Sequence, residues 1–259
     1  MSFAAEDLLV FVAGVLWPFA RISAFLVAAP LFGASTVNLQ ARMALAFLLA
    51  LLVAPWVAVP VGIDPFSFEG FLITAAQVLI GAAMGFVLQL VFSAFTQAGE
   101  VIALSMGLGF ASIADPATGV SVPMVAQFFT ITATLLFFAM NGHLVALEVL
   151  IASFQFMPVG LLTVSPQGLY AIATFGAVMF AGAVLIAIPA LAALLVVNLA
   201  MGVVTRAAPA LNIFAVGFPV MILFGFVLLL LILPGFPDRL GELLSEAFRL
   251  IVQLLPPPT

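Results

Sequence analysis

The chain has 259 residues, with no cysteine, no lysine, one histidine and five arginines. Each shortage excludes a class of chemistry. Without cysteine there is no disulfide framework, no thiol chemistry and no Cys-ligated metal. One histidine, with no His or carboxylate cluster at ligand spacing, leaves no metal site, and no cofactor is expected. Five arginines against ten acids give a formal charge of −5. That is the wrong sign for nucleic acid, which needs a basic stripe. Charged residues of all kinds make up 6% of the chain, against about a quarter in an ordinary soluble domain. A soluble surface cannot be built from so few.

What fills the chain instead is apolar. Hydrophobic residues are 66% and mean hydropathy is +1.44, so the protein is of the membrane class or folds against other apolar chains. No Asp, Glu, Lys or Arg occurs in 43–63, 70–99, 116–147, 149–205 or 207–237. Each gap holds at least the roughly 20 apolar residues that a spanning helix needs. Turn residues divide the chain into six hydrophobic segments: 8–32, 43–61, 70–95, 123–147, 169–199 and 212–234. Membrane-barrel strands would alternate over about ten residues, and nothing here does. The expected fold is all-α. The start, Met1 to Asp7, is acidic where a cleavable signal needs positive charge.

Arg42 and Arg206 mark cytoplasmic ends by the positive-inside rule, yet six simple crossings place Arg239 and Arg249 on the other side. That conflict of parity implies that 149–205, with Pro158, Pro166 and Pro189, is not one crossing, or that some segments are not conventional spans. The tail is of another kind. Arg239, Glu242, Glu246, Arg249 and Gln253 line one helical face, and Leu240, Leu243, Leu244, Phe248, Ile251 and Leu255 line the other. This amphipathic helix would lie on a bilayer interface or dock on a partner.

Arg21 stands within the first apolar segment, where a guanidinium costs roughly 2.5–3.5 kcal/mol to insert. It needs a partner, a cavity or another subunit. An ion pair with an acid such as Glu100 or Glu148 would hold helices together, and a polar lining is the functional reading. From Gln97-Ala-Gly-Glu100 the chain runs into a stretch dense in Gly, Pro, Ser and Asp. It includes Met106, Gly107, Gly109, Phe110, Asp115, Pro116 and Gly119, and such residues disfavour a regular helix. Irregular backbone at membrane depth is tolerated only where protein buries it or water lines it. The stretch is therefore a re-entrant pore element or a surface connection. His143, in Asn141-Gly142-His143, is a helix-end histidine or a member of a proton relay. Gly81-Ala-Ala-Met-Gly85 and the residues around Gly176 and Gly182 form small-residue faces that let helices approach closely. No phosphate loop, nucleophile elbow, His-Glu-x-x-His or paired-carboxylate site is present, so no enzyme is expected.

These stretches together resemble one family, the R subunit (FliR) of the flagellar type III export gate, with its virulence-secretion counterpart. The residues that carry the likeness are Arg21-Ile-Ser-Ala-Phe25, Ala29-Pro30-Leu-Phe, Arg42, Gln97-Ala-Gly-Glu100 and Met106-Gly-Leu-Gly-Phe110. They continue through Asp115-Pro116, Asn141-Gly-His143, Ser153-Phe154, and Arg206 to Pro219 with Asn212. The resemblance implies a non-enzymatic channel subunit, a fusion of a P-type half (1–165) and a Q-type hairpin (166–235) followed by the tail (236–259). It implies tilted hairpins packed on FliP-type and FliQ-type subunits, with an FlhB-type switch subunit nearby, in a bacterial inner-membrane flagellar basal body. Residues 106–122 would plug the channel through which unfolded proteins pass, with Phe110 against a methionine ring of the P subunits. Arg21, Glu100, His143, Arg206 and Asn212 would be packing groups. A polytopic transporter of small molecules or ions is the alternative that the intramembrane polar residues and broken helices allow.

Overall fold

The structure, a computed structural model, describes residues 5–30, 38–60, 62–108, 124–161, 164–208 and 213–254. Among these residues it is helical, with no strand. The helices are α1 (Ala5–Ala28), α2 (Leu39–Val53), α3 (Phe68–Ser105), α4 (Met124–Ala139), α5 (Gly142–Phe156), α6 (Pro166–Ala207), α7 (Ile213–Ile232) and α8 (Phe236–Leu254). The expected all-α membrane fold is what is found. Among the described residues, five helical stretches are long and apolar enough to cross a membrane, or six if the α4/α5 pair counts as one broken span.

The element boundaries correct the expected segments in two places. The segment read as 70–95 continues as helix to Ser105, because Thr96, Gln97 and Glu100 are tolerated on its half-buried side. The segment 123–147 is two helices, broken between Ala139 and Gly142. Asn141 between them takes the left-handed conformation at φ 58°, which Asn visits more readily than most residues. The stretch 149–205 is indeed not one helix: α5 stops at Phe156 and α6 opens on Pro166, a position where the missing N–H costs nothing.

α3 and α6 have 38 and 42 residues, so at 1.5 Å per residue they run about 57 and 63 Å. Hydrocarbon is about 30 Å thick. Measured along the helix, each is about twice that thickness.

The chain divides into two compact units, residues 1–90 with 141–176 and 244–259, and residues 91–140 with 177–243. In the first, α1 packs on α2, with Phe19 and Phe47 edge to face at 6.3 Å. α1 also crosses the start of α3 at Gly81 and Gly85. A Cβ on either glycine would run into α1 backbone, at the Arg21 and Phe25 carbonyls. The small-residue pair is thus spent on packing inside the chain. In the second unit, Phe236 of α8 stacks edge to face on Phe95 and Phe129, at 5.3 and 4.7 Å. Thr96 and Thr130 hydrogen-bond across α3 and α4 at 2.8 Å.

α8 has the predicted two faces, but its apolar one is already covered. Phe236, Leu240, Leu243, Leu244, Ala247, Ile251 and Leu254 are buried within the chain, while Asp238, Arg239, Glu242, Glu246 and Arg249 are exposed. The amphipathic stripe therefore docks on its own protein rather than on a bilayer or a partner.

Candidate functional site

Two arrangements stand out against the apolar background. The first is built around Arg21, which is fully buried. Its Nε donates to Gln77 Oε1 at 2.9 Å, and one terminal nitrogen donates to the same oxygen and to the Met157 carbonyl at 2.8 Å. The other donates to Ser153 Oγ at 3.1 Å, and the guanidinium lies 4.2 Å from the centre of the Phe154 ring. Ser153 Oγ in turn donates a hydrogen bond to the Leu150 carbonyl at 2.6 Å.

The expected carboxylate partner is not there. Glu148 is exposed, and Glu100 is half-buried with no ion pair among the described residues. Neutral groups do the work instead. Met157 is the C-cap of α5, and its carbonyl is one of the orphan acceptors at a helix end. That end carries the negative pole of the helix dipole, so the arginine meets partial negative charge without an acid. The Phe154 ring face adds a cation–π contact that is strong when desolvated.

The backbone explains why these groups meet. Gln77, Gly81 and Gly85 fall on one face of α3. The two glycines let α1 come close enough for the Arg21 side chain to reach the amide one turn earlier. Gln77 and the Met157 carbonyl are not in the sequence reading. The available signal was an amide alone in the apolar run between Glu69 and Gln89.

The second arrangement is where α3 stops. Leu108 N–H bonds the Ala103 carbonyl and Gly107 N–H the Leu104 carbonyl, both at 3.0 Å, with Gly107 at φ 84°. This pair of bonds with a left-handed glycine is a Schellman C-cap. Met106 is wholly buried, and its side chain lies across Gly225 of α7, where a Cβ would come within 2.6 Å of both its Cγ and its Sδ. Gly107 faces the ring of Phe218, with 3.2 Å left for a Cβ. Replacing Gly107 by alanine should cost about 1–2 kcal/mol for the left-handed backbone, and by asparagine less. Thermal unfolding of the purified complex would report both.

Of the other predicted residues, His143 is half-buried in the first turn of α5, and Arg206 is exposed in the last turn of α6, where a cation complements the helix dipole. Gly109, Phe110, Asp115, Pro116, Gly119 and Asn212 lie outside the described residues. The structure brings together Arg21 and Met106 with partners, but does not join Arg21 to Glu100.

Comparison with known proteins decides the family. The profile of "Bacterial export proteins, family 1" matches residues 12–247. The flagellar biosynthetic protein FliR of Pectobacterium carotovorum is 37% identical over 256 residues, covering 98% of this chain and 97% of the relative. FliR of Escherichia coli is 34% identical over 240 residues, covering 92% and 91%, and FliR of Bacillus subtilis 33% over 215, covering 82% and 83%. The chain belongs to the FliR family of bacterial export proteins. As a FliR-family protein it is a membrane component of the flagellar type III export apparatus, and it acts with other components of that apparatus.

Proposed function

We propose that this chain is the R subunit of the export gate, a non-enzymatic wall of the channel with residues 106–122 as its plug. Its helices pack on FliP-type and FliQ-type subunits in the inner membrane, close to an FlhB-type subunit, and unfolded flagellar proteins pass beside it. Residues 1–165 take the P-type role and 166–235 the Q-type role. The supporting observation is the mismatch between α3, α6 and any bilayer. These rods are about twice as long as hydrocarbon is thick, yet one side stays apolar and uncovered. On α6, Leu195, Val196 and Leu199 are 59–66% exposed, and on α7 Leu230 and Leu231 are 69–70% exposed. Apolar surface outside the lipid must be covered by other protein.

The transporter alternative loses the support of Arg21, because that buried side chain is hydrogen-bonded within the chain. Deleting 110–116 tests the plug. Co-purification of the other subunits should be unchanged, while ion leak through the membrane, read by loss of potential in cells that express the complex, should rise. An unchanged leak would overturn the plug.

A further inference from the structure

We infer that the turn between α2 and α3 is an aromatic anchor, seated among the lipid headgroups of the leaflet away from the Arg42 end of α2. The inference is independent of the plug and of the roles given to the two halves of the chain.

The first compact unit has two ends of different character, and the helix directions show which residues share an end. Arg21 lies at Gly81 while Phe25 and Ala29 lie at Gly85, so α1 and α3 run the same way. Phe19 meets Phe47, nine residues before the end of α1 and eight after the start of α2. Such equal arms make an antiparallel hairpin. The start of α1, the end of α2 and the start of α3 therefore share one end. Glu6, Asp7, Asp64 and Glu69 belong to it, and Arg42 belongs to the other. Arg42 marks the cytoplasmic side, which puts the acidic end outside.

α2 is the element whose length suits lipid. With the turn at 54–56 it has 18 residues, about 27 Å against about 30 Å of hydrocarbon. In the helix only Ala46, Ala50 and Val53 are buried, while Leu48 and Leu52 are exposed. The aromatic patch follows directly. Trp56, Phe66, Phe68 and Phe71 are 66–80% exposed, and their display is built into the turn. Phe66 N–H donates to Asp64 Oδ1 at 2.9 Å, and Ser67 N–H to the Asp64 carbonyl at 3.0 Å. Gly70 N–H donates to Ser67 Oγ at 3.1 Å, which caps α3. A Cβ on Gly70 would run into the Asp64 and Pro65 carbonyls. The turn is thus folded down on the helix start, and the rings are left outside.

Rings and charges are interleaved here, for Asp64 and Glu69, on either side of Phe66 and Phe68, are exposed as well. A protein surface that covered the rings would also cover two carboxylates, which would then need cationic partners. The headgroup region asks for no such pairing. Rings sink toward the acyl chains there while carboxylates stay in water, and Trp is enriched at that depth. Two acids also suit the outer surface better than the anionic cytoplasmic one.

The chain has no cysteine, so single cysteines place a bimane label in the assembled complex, and the cysteine-free chain gives the background of the other subunits. In phosphatidylcholine vesicles, lipid brominated near the headgroup should quench a label at Phe68→Cys about twofold or more over lipid brominated at the chain end. At Leu48→Cys the order should reverse. In cells permeable only at the outer membrane, a membrane-impermeant maleimide should reach Glu69→Cys and not Gln40→Cys.

Three results would overturn the anchor. Quenching at Phe68→Cys by aqueous iodide and not by lipid would put the turn in water. Protection from both would mean that protein covers it. Labelling of Gln40→Cys alone would reverse the orientation. Should Phe68→Cys fail to assemble, Phe66→Cys carries the same test. An absent leak on deletion of 110–116 would sink the plug and leave this result untouched.

Discussion

Replacing Gln77 by leucine should destabilise the protein more than replacing Arg21 itself by methionine. The order follows from what each change leaves behind. Gln77→Leu keeps the guanidinium in the protein interior but removes the acceptor of its Nε and of one terminal N–H. The two hydrogen bonds lost are to a charged group, worth about 1.5–3 kcal/mol each. Arg21→Met removes the charge and fills the space with a flexible apolar side chain. It orphans neutral acceptors only, Gln77 Oε1, the Met157 carbonyl and Ser153 Oγ. Each costs about 1 kcal/mol, because an oxygen left without a donor is better tolerated than a donor left without an acceptor. The double variant should recover part of the Gln77→Leu loss, since no charge and no amide remain. Steady-state level in the membrane and apparent Tm of the extracted complex would rank the three. If the double variant is worse than Gln77→Leu alone, the guanidinium does not depend on that amide.

The same site shows where sequence reading stops. Arg21 was legible as a group in need of a partner, because charge in an apolar helix is rare and costly. Its partner was sought among acids, since acids are what a census of charge brings out. The answer came from groups that such a census passes over: an amide, a helix-end carbonyl and a ring face. The six apolar segments and the amphipathic tail were equally legible, as both depend on hydrophobic pattern alone. The break at Asn141 was not, because one residue in the left-handed region can turn a chain that is apolar on both sides. Nor was the docking of α8 on its own protein: an apolar stripe says that something covers it, not what. The fit of Met106 across Gly225 belongs to the same class, since a glycine in a helix shows its purpose only when the atom opposite it is known.

Glycine also carries the second large expected effect, in which one substitution has opposite signs at different places. At Gly99 an alanine Cβ would lie 2.5 Å from Ala126 Cα and 2.9 Å from the Ala126 nitrogen and the Val125 carbonyl oxygen. At Gly81 it would meet the Arg21 carbonyl and lie 3.1 Å from the Phe25 nitrogen. Every one of these atoms is backbone, so no side chain can swing aside and the whole partner helix must move. Each alanine should cost about 1–3 kcal/mol or more by overpacking. Gly81→Ala should cost the more, because pushing α1 away also stretches Arg21 from Gln77. At Gly14 and Gly202 nothing in the chain lies within 4 Å of the added carbon. There alanine should gain up to about 1 kcal/mol from helix propensity. Apparent Tm of the extracted complex would measure all four. A gain at Gly14 or Gly202 would place that face against lipid or open space. A loss there as large as at Gly99 would mean that another subunit's backbone presses on it, as expected of helices too long for the bilayer to cover.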